Sequence, residues 1–472
     1  MKLIPQNMFD TYALSFPRGH DFGDMEPVGA WQSDDGLSYG VVFQNIAKSC
    51  FDWKLMRRRV DHVWSAVEEG AGLPSREESF AALKPRLDTP MPREPMPANT
   101  APRPKLHDLG DRTPSDIFSL LNQRTHAIAA WLFNQLYVAM PAPDKNWAAD
   151  CQTRNTHTRL WEALLLASFR EQGLLVTQPH EAPDFRLENR AGEVAWVEAV
   201  TANPPIAYDH VNAPPSERPG TGRELFFGDA ALRFAKTIGN KLQKKYTSKT
   251  HVAGRPFAIA LADFHASASM VWSREALIGY LYGSGARSVD VEGRPTPEIL
   301  TASHLLGPAQ FPAGLFNSPE ASELSAVIFS NAASIAKLNR VGASMGMDTR
   351  GLRYVRYGHF HDPTPGAQVG IPFCMDVTSE AYRSLWPSGY EPWTAEMEVF
   401  HNPFAEHPLD HSLFPKAAHW FERDGLIDHK THYEHSILSS MTLIQEEDAP
   451  MPAVKDLVDV DVSKGDISTA IS

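Results

Sequence analysis

The sequence predicts an α/β protein whose central order of elements is helix, three strands, helix, strand. Three observations predict it. "TRLWEALLLASFREQG" carries apolar residues at helical intervals and stops at Gly173. "LLVTQ", "DFRLE" and "EVAWVEAVT" are short strand-like runs bounded by turn residues. "GDAALRFAKTIGNKLQKKY" is helical again and precedes "PFAIALADF", which is apolar on both faces and so belongs near the centre of a sheet. Between the second and third strands, "ENRAGE" supplies Gly192 for a positive backbone angle, which predicts an antiparallel hairpin.

The rest of the chain is arranged around that core. With 472 residues, 43% hydrophobic and 21% charged, the chain is long enough for a large core and more than one domain. Residues 1–72 read as an N-terminal α+β unit, with a hairpin at Asp34-Asp35-Gly36 and a helix over "SCFDWKLMRRRVDHVWSAVEEG". Residues 73–112 are crowded with prolines and read as an extended linker. The core takes residues 113–270 and opens on a long helix over "TPSDIFSLLNQRTHAIAAWLFNQLYVAM". Residues 271–450 read as a C-terminal α/β extension, with an amphipathic helix in "WSREALIGYLYG" and a strand entering a helix in "SAVIFSNAASIAKLN"; residues 451–472 read as an acidic flexible tail.

Composition excludes several classes. No apolar run approaches the roughly 20 residues of a membrane span, and the N-terminus lacks the pattern of a secretory signal, so a cytoplasmic location is expected. Cys50, Cys151 and Cys374 lie far apart and are expected as small buried apolar residues. A net charge of -13 argues against coating nucleic acid non-specifically, yet leaves room for a local basic groove. The fingerprints of phosphate loops, serine hydrolases and dinucleotide-binding folds are missing. His401, His407, His411 and Asp410 cluster in sequence, but Pro403 and Pro408 prevent the continuous helix that would align them on zinc.

The residues that carry chemistry lie in the core. Asp184 follows Pro183 at a strand start, where taken singly it also fits an ordinary turn acid. Glu198 stands among Val197, Ala199 and Val200 and is expected to reach an inner face, where an unpaired carboxylate is costly and calls for a cation. Glu162 shares the helical face of Leu165, Leu166 and Phe169, which places its carboxylate at least partly inside.

A helix bearing Glu162, then Pro183-Asp184, then Glu198 in the following strand, then a helix and a buried strand, resembles the PD-(D/E)XK nuclease superfamily over roughly residues 153–265. The resemblance implies a restriction-endonuclease-like αβββαβ core. It also implies Mg²⁺ or Mn²⁺ held by Asp184, Glu198 and Glu162, metal-dependent endonuclease action on DNA, and a bacterial role in defence against foreign (viral) DNA. One departure stands out. The superfamily places Lys two residues after the second acid, where this chain has Val200. A replacement is available in the next helix, where Phe234, Ile238, Lys241, Leu242 and Lys245 recur at intervals of three and four; Lys241 is the expected electrostatic partner and Lys245 its rival. From Lys236 to Arg255 there are five lysines and an arginine with no acid, so Lys236, Lys244, Lys245, Lys249 and Arg255 are expected to meet the phosphate backbone. The Pro/Gly-rich insert over 202–226 is expected to form a mobile flap. The missing Lys keeps open a second class of function, a silent nuclease fold that binds or assembles, and the N-terminal unit or C-terminal extension is where a partner protein or second copy would join.

Overall fold

A computed structural model describes residues 1–206, 208–291, 294–308, 310–362 and 370–457. Strands β1 (Lys2–Ile4), β2 (Met25–Gln32), β3 (Ser38–Asn45), β4 (Cys50–Arg58) and β5 (Trp64–Leu73) form an antiparallel sheet in that order, with helix α1 (Gln6–Ala13) beside it. The hairpin at Asp34-Asp35-Gly36 is present, with Gly36 at φ 70°. The helix expected over residues 49–70 is instead β4 and β5. Trp53 and Leu55 alternate onto one face of the sheet, but the register shifts between Leu55 and Met56, and Met56 joins Trp64 on the other face. Both faces of β4 are covered there, so Leu55, Met56 and Arg57 are buried in succession and the apolar–polar alternation of a half-exposed strand is lost.

The proline-rich stretch is also more ordered than expected. Helix α2 (Arg76–Asp88) is capped by Ser75, whose side chain accepts from the Glu78 N–H, and it buries Leu83 and Leu87 against Val42, Trp53 and Leu55. Beyond it the chain runs extended but anchored, with Glu94 paired to Arg57 at 2.8 Å. The long helix expected from Thr113 is two, α3 (Asp116–Leu120) and α4 (Ala127–Ala139). They part at Gln123, whose backbone is extended. Helix α5 (Trp147–Thr153) leads into α6 (Thr156–Glu171).

From α6 the order is as the sequence predicts: β6 (Leu175–Thr177), β7 (Phe185–Glu188), β8 (Val194–Ala202), then α7 (Gly222–Phe227), α8 (Asp229–Leu242) and β9 (Phe257–Asp263). β7 and β8 pair antiparallel around Gly192, at φ 82°, and β8 runs parallel to β9. Helix α9 (Arg274–Tyr282) follows; it is buried nearly all round rather than amphipathic. β10 (Ser284–Val291) and β11 (Arg294–Thr301) form a hairpin, and β12 (Ala326–Ser330) enters α10 (Ile335–Ser344). β13 (Leu352–Phe360), β14 (Ile371–Asp376), β15 (Met397–His401), β16 (Ala418–Arg423), β17 (Leu426–Lys430) and β18 (Ile437–Glu446) complete the strands among the described residues.

One eight-stranded sheet organises the molecule, in the order β17-β16-β15-β12-β9-β8-β7-β6, while β14-β13-β18 form a smaller one. β9 is central, flanked by β8 and β12, and all seven of its residues are buried. The sheet spans the boundary placed between residues 270 and 271, taking four strands from each side of it. The face carrying Val197 and Ala199 packs under α4, α6 and α10; the face carrying Trp196 and Val200 packs under α7, α8 and α9. Of the three cysteines only Cys151 is buried; Cys50 and Cys374 are half-buried. The acidic tail beyond Leu457 lies outside the described residues. No helix among them is long and apolar enough to cross a membrane.

Candidate active site

The site forms where β7 stops and β8 continues. β7 begins at the pair Phe185–Val197, so Asp184 stands just before the first rung, level with Glu198. The next amide of β8 then has no strand partner on that side, and Asp184 Oδ2 accepts it, from Ala199 N–H at 2.7 Å. Glu198 points to the face it shares with Trp196 and Val200, under α8. Its Oε1 accepts from Lys241 Nζ at 2.6 Å and from the Tyr246 hydroxyl at 2.6 Å, whereas its Oε2 is buried with no hydrogen-bond partner among the described residues. Glu162 enters from α6. Its Oε2 accepts from the Trp147 indole N–H at 2.6 Å, and both oxygens accept from Arg159 Nη1, at 2.8 and 3.0 Å.

The three acids feel one another. Burial pushes the Asp184 carboxyl well above the usual range, and the neighbouring charges of Glu198 and Glu162 push it further, against the pull of the Ala199 amide and Lys241. Glu162 is also raised, by burial first and with Glu198 contributing, although Arg159 opposes it. The Tyr246 phenol is held protonated by burial and by its bond to Glu198. Three carboxyl groups thus share a region in which Lys241 and Arg159 are the cations.

The two lysines separate clearly. α8 buries Ala231, Phe234, Ala235 and Ile238, and Lys241 continues that stripe with its ammonium on Glu198. The helix ends at Leu242, and Lys245 lies beyond it in a left-handed conformation, exposed. Val200 is buried in the apolar layer against α8. Lys236, Lys244, Lys245, Lys249 and Arg255 are all exposed, and none joins an ion pair among the described residues. The insert expected as a flap is helical from Gly222 onward, where Leu225 and Phe226 are buried; earlier, His210 contacts His157 at 3.2 Å and Ser216 N–H donates to Ser267 O. Ala207 lies outside the described residues.

Sequence reasoning missed Tyr246, Trp147 and Arg159. Tyr246 closes the lysine run "KLQKKY", so its proximity to Lys241 was visible. Trp147 meets Glu162 through the packing of α5 on α6, which leaves no mark on spacing, whereas Arg159 stands three residues before Glu162 on the same helix, a spacing the sequence displays. His401 bonds to His419, at 2.8 Å, while His407 is half-buried and His411 exposed. No group of three or more His, Cys, Asp or Glu side chains among the described residues is arranged to hold a metal. The donor set that does suit a hard divalent cation is smaller: the orphaned Oε2 of Glu198 and the carboxylate of Asp184 beside it. Neither a protein family, nor a curated protein, nor a solved structure matches this chain.

Proposed function

We propose that this chain is a metal-dependent nuclease with a restriction-endonuclease-like core, hydrolysing phosphodiester bonds in DNA, and that it acts in the cytoplasm in defence against foreign DNA. One observation carries the reading. Lys241, from the helix after the third strand, brings its ammonium to Glu198, level with Asp184, in place of the lysine that Val200 replaces. Asp184 and Glu198 would hold Mg²⁺ or Mn²⁺, which keeps several waters and needs only one or two protein carboxylates. Such an ion supplies charge neutralisation at the phosphate and a reactive water at neutral pH.

The chain's own groups have separable roles. Ala199 N–H orients Asp184, and Tyr246 orients Glu198 so that Oε2 stays free. Lys241 has further N–H donors for a phosphate oxygen. Glu162, with both oxygens already bonded to Arg159 and one to Trp147, acts through its charge on the other two acids. The exposed Lys236, Lys244, Lys245, Lys249 and Arg255 on and after α8, in no ion pair among the described residues, suit the DNA backbone.

The same geometry favours a second reading. Lys241 and Tyr246 both spend a hydrogen bond on Glu198, as in a structural ion pair, which suits a silent nuclease fold that only binds nucleic acid or a partner. The deciding experiment incubates the protein with supercoiled plasmid and with single-stranded DNA, in Mg²⁺, in Mn²⁺ and in EDTA. Nicking or linearisation that EDTA abolishes is expected. DNA retention without cleavage in either metal establishes the second reading.

A further inference from the structure

Away from the acids, a cavity of about 720 Å³ opens between the N-terminal sheet, the proline-rich segment, the end of α4 and β6. Its size suits a small organic molecule. Trp64, Tyr137 and Val176 contribute apolar wall. The polar lining is unbalanced: Arg59, Arg103, Lys145 and Arg170 against Asp61 and Asp144. Asp61 is already occupied by Arg59, through contacts of 2.9 and 2.7 Å. Exposed Asp144 caps the Asn146 N–H.

Arg103 and Arg170 are left without a carboxylate in ion-pair contact among the described residues. Arg103 donates to the carbonyls of Tyr137 and Met140, at 2.7 and 2.9 Å. Arg170 is 3% exposed, donates to the carbonyls of Ala139 and Leu14, and has a buried Nε with no hydrogen-bond partner. Burial pushes the Arg170 guanidinium down to about 9, and the positive charge of Arg103 adds to the effect. A guanidinium stays charged in proteins, so the buried Arg170, held by carbonyls beside the half-buried Arg103, has a use for an anion.

We infer that this cavity binds a small organic anion, a phosphate or carboxylate carried on a planar apolar body, with its charge against Arg103 and Arg170. The inference does not rest on the nuclease reading. The two cations supply charge-assisted hydrogen bonds and the cavity wall supplies burial for the body. Lys145, exposed at the rim, adds to the field that draws an anion in.

The test uses the full chain, titrated by calorimetry and followed by thermal unfolding, with adenosine 5′-monophosphate, benzoate and neutral adenosine. Binding of the monophosphate or of benzoate, with a Tm that climbs with concentration, is expected; which one binds distinguishes a phosphate from a carboxylate. Adenosine should bind at least about tenfold more weakly, the loss of one charge-assisted contact. Arg170→Met should abolish binding. Because Arg170 also ties Leu14 and Ala139, a second variant guards against misfolding: Ala142→Glu, at an exposed position of the lining, should keep the unliganded Tm and lose about tenfold or more in affinity. If neither anion binds, if adenosine binds as tightly as the monophosphate, or if Ala142→Glu binds like wild type, the inference is overturned.

Discussion

Two clusters of buried charge sit in this molecule, and they are balanced in opposite directions. In the first, Glu162, Asp184 and Glu198 face Lys241 and Arg159. In the second, Lys337, Arg340 and Arg356 from α10 and β13 surround Glu391 and Glu396. Lys337 lies 2.9 Å from Glu391 and 2.6 Å from Glu396, Arg340 lies 3.0 Å from Glu391, and the Tyr382 hydroxyl donates to Glu391 at 2.5 Å. There, burial works against ionisation, yet Arg340, Lys337 and Arg356 hold Glu391 far below the usual carboxylate range, and Arg356 and Lys337 lower Glu396. In the first cluster the carboxyls of Asp184 and Glu162 are pushed up instead. A cluster saturated with cations ties elements together; one short of cations has a use for a cation from outside.

Removing an acid should therefore do opposite things in the two places. Asp184→Ala is expected to abolish plasmid cleavage with the Tm close to wild type, since a repelling acid is lost. Unchanged cleavage in Asp184→Ala would remove the metal-site proposal. Glu391→Ala should instead cost about 3–5 kcal/mol in stability, because three buried cations lose a partner, and denaturant unfolding measures it directly. A Glu391→Ala protein as stable as wild type would show that the second cluster is not the tie its geometry describes.

Much of the first cluster was legible in the sequence, and little of the second. Asp184, Glu198 and Lys241 announce themselves because each interrupts an apolar pattern at a place where a strand starts, a strand is buried, or a helix faces the sheet. Glu391 and Glu396 lie in "YEPWTAEMEVF", a stretch with no periodic signal, and their cations come from α10 and β13, brought together only by tertiary packing. The same limit explains the N-terminal unit. β4 is covered on both faces, which removes the alternation of a half-exposed strand, and α2 hides among prolines, with Pro85 inside the helix itself. The β6–β9 order was readable because turn residues mark both ends of each strand.

The lysine supplies a smaller and more specific test of the contrast. Lys241→Ala should slow cleavage by roughly 10²- to 10³-fold, the usual loss for one well-placed group at a developing charge, while Mn²⁺ binding by calorimetry stays within a few-fold of wild type. Lys245→Ala should weaken DNA binding modestly and leave cleavage at saturating DNA like wild type, since that residue is exposed beyond the helix end. If Lys241→Ala cleaves normally in an active enzyme, its bond to Glu198 is a structural tie like those around Glu391.

The smallest expected effect separates the clusters by sign. Asp184 has a raised folded-state pKa, so below the unfolded aspartate value of about 3.9 both states are protonated and the residue costs nothing. As pH rises the unfolded chain ionises first, and stability is lost until the folded carboxyl ionises too. Asp184→Asn removes that penalty and keeps an oxygen for the Ala199 N–H, so its Tm should match wild type near pH 4 and exceed it increasingly toward neutral pH. Glu396 has a lowered folded-state pKa, so its contribution is fully present above the unfolded glutamate value of about 4.3 and fades as pH falls. Glu396→Gln should therefore be least stable relative to wild type at neutral pH, with the gap closing toward acid. Adding Mg²⁺ or Mn²⁺ at pH 7 should raise the wild-type Tm and not that of Asp184→Asn, because the ion favours the ionised carboxylate that only wild type can offer. An Asp184→Asn protein less stable than wild type at every pH, with no difference in response to either metal, would place Asp184 among the structural acids and make the two clusters alike.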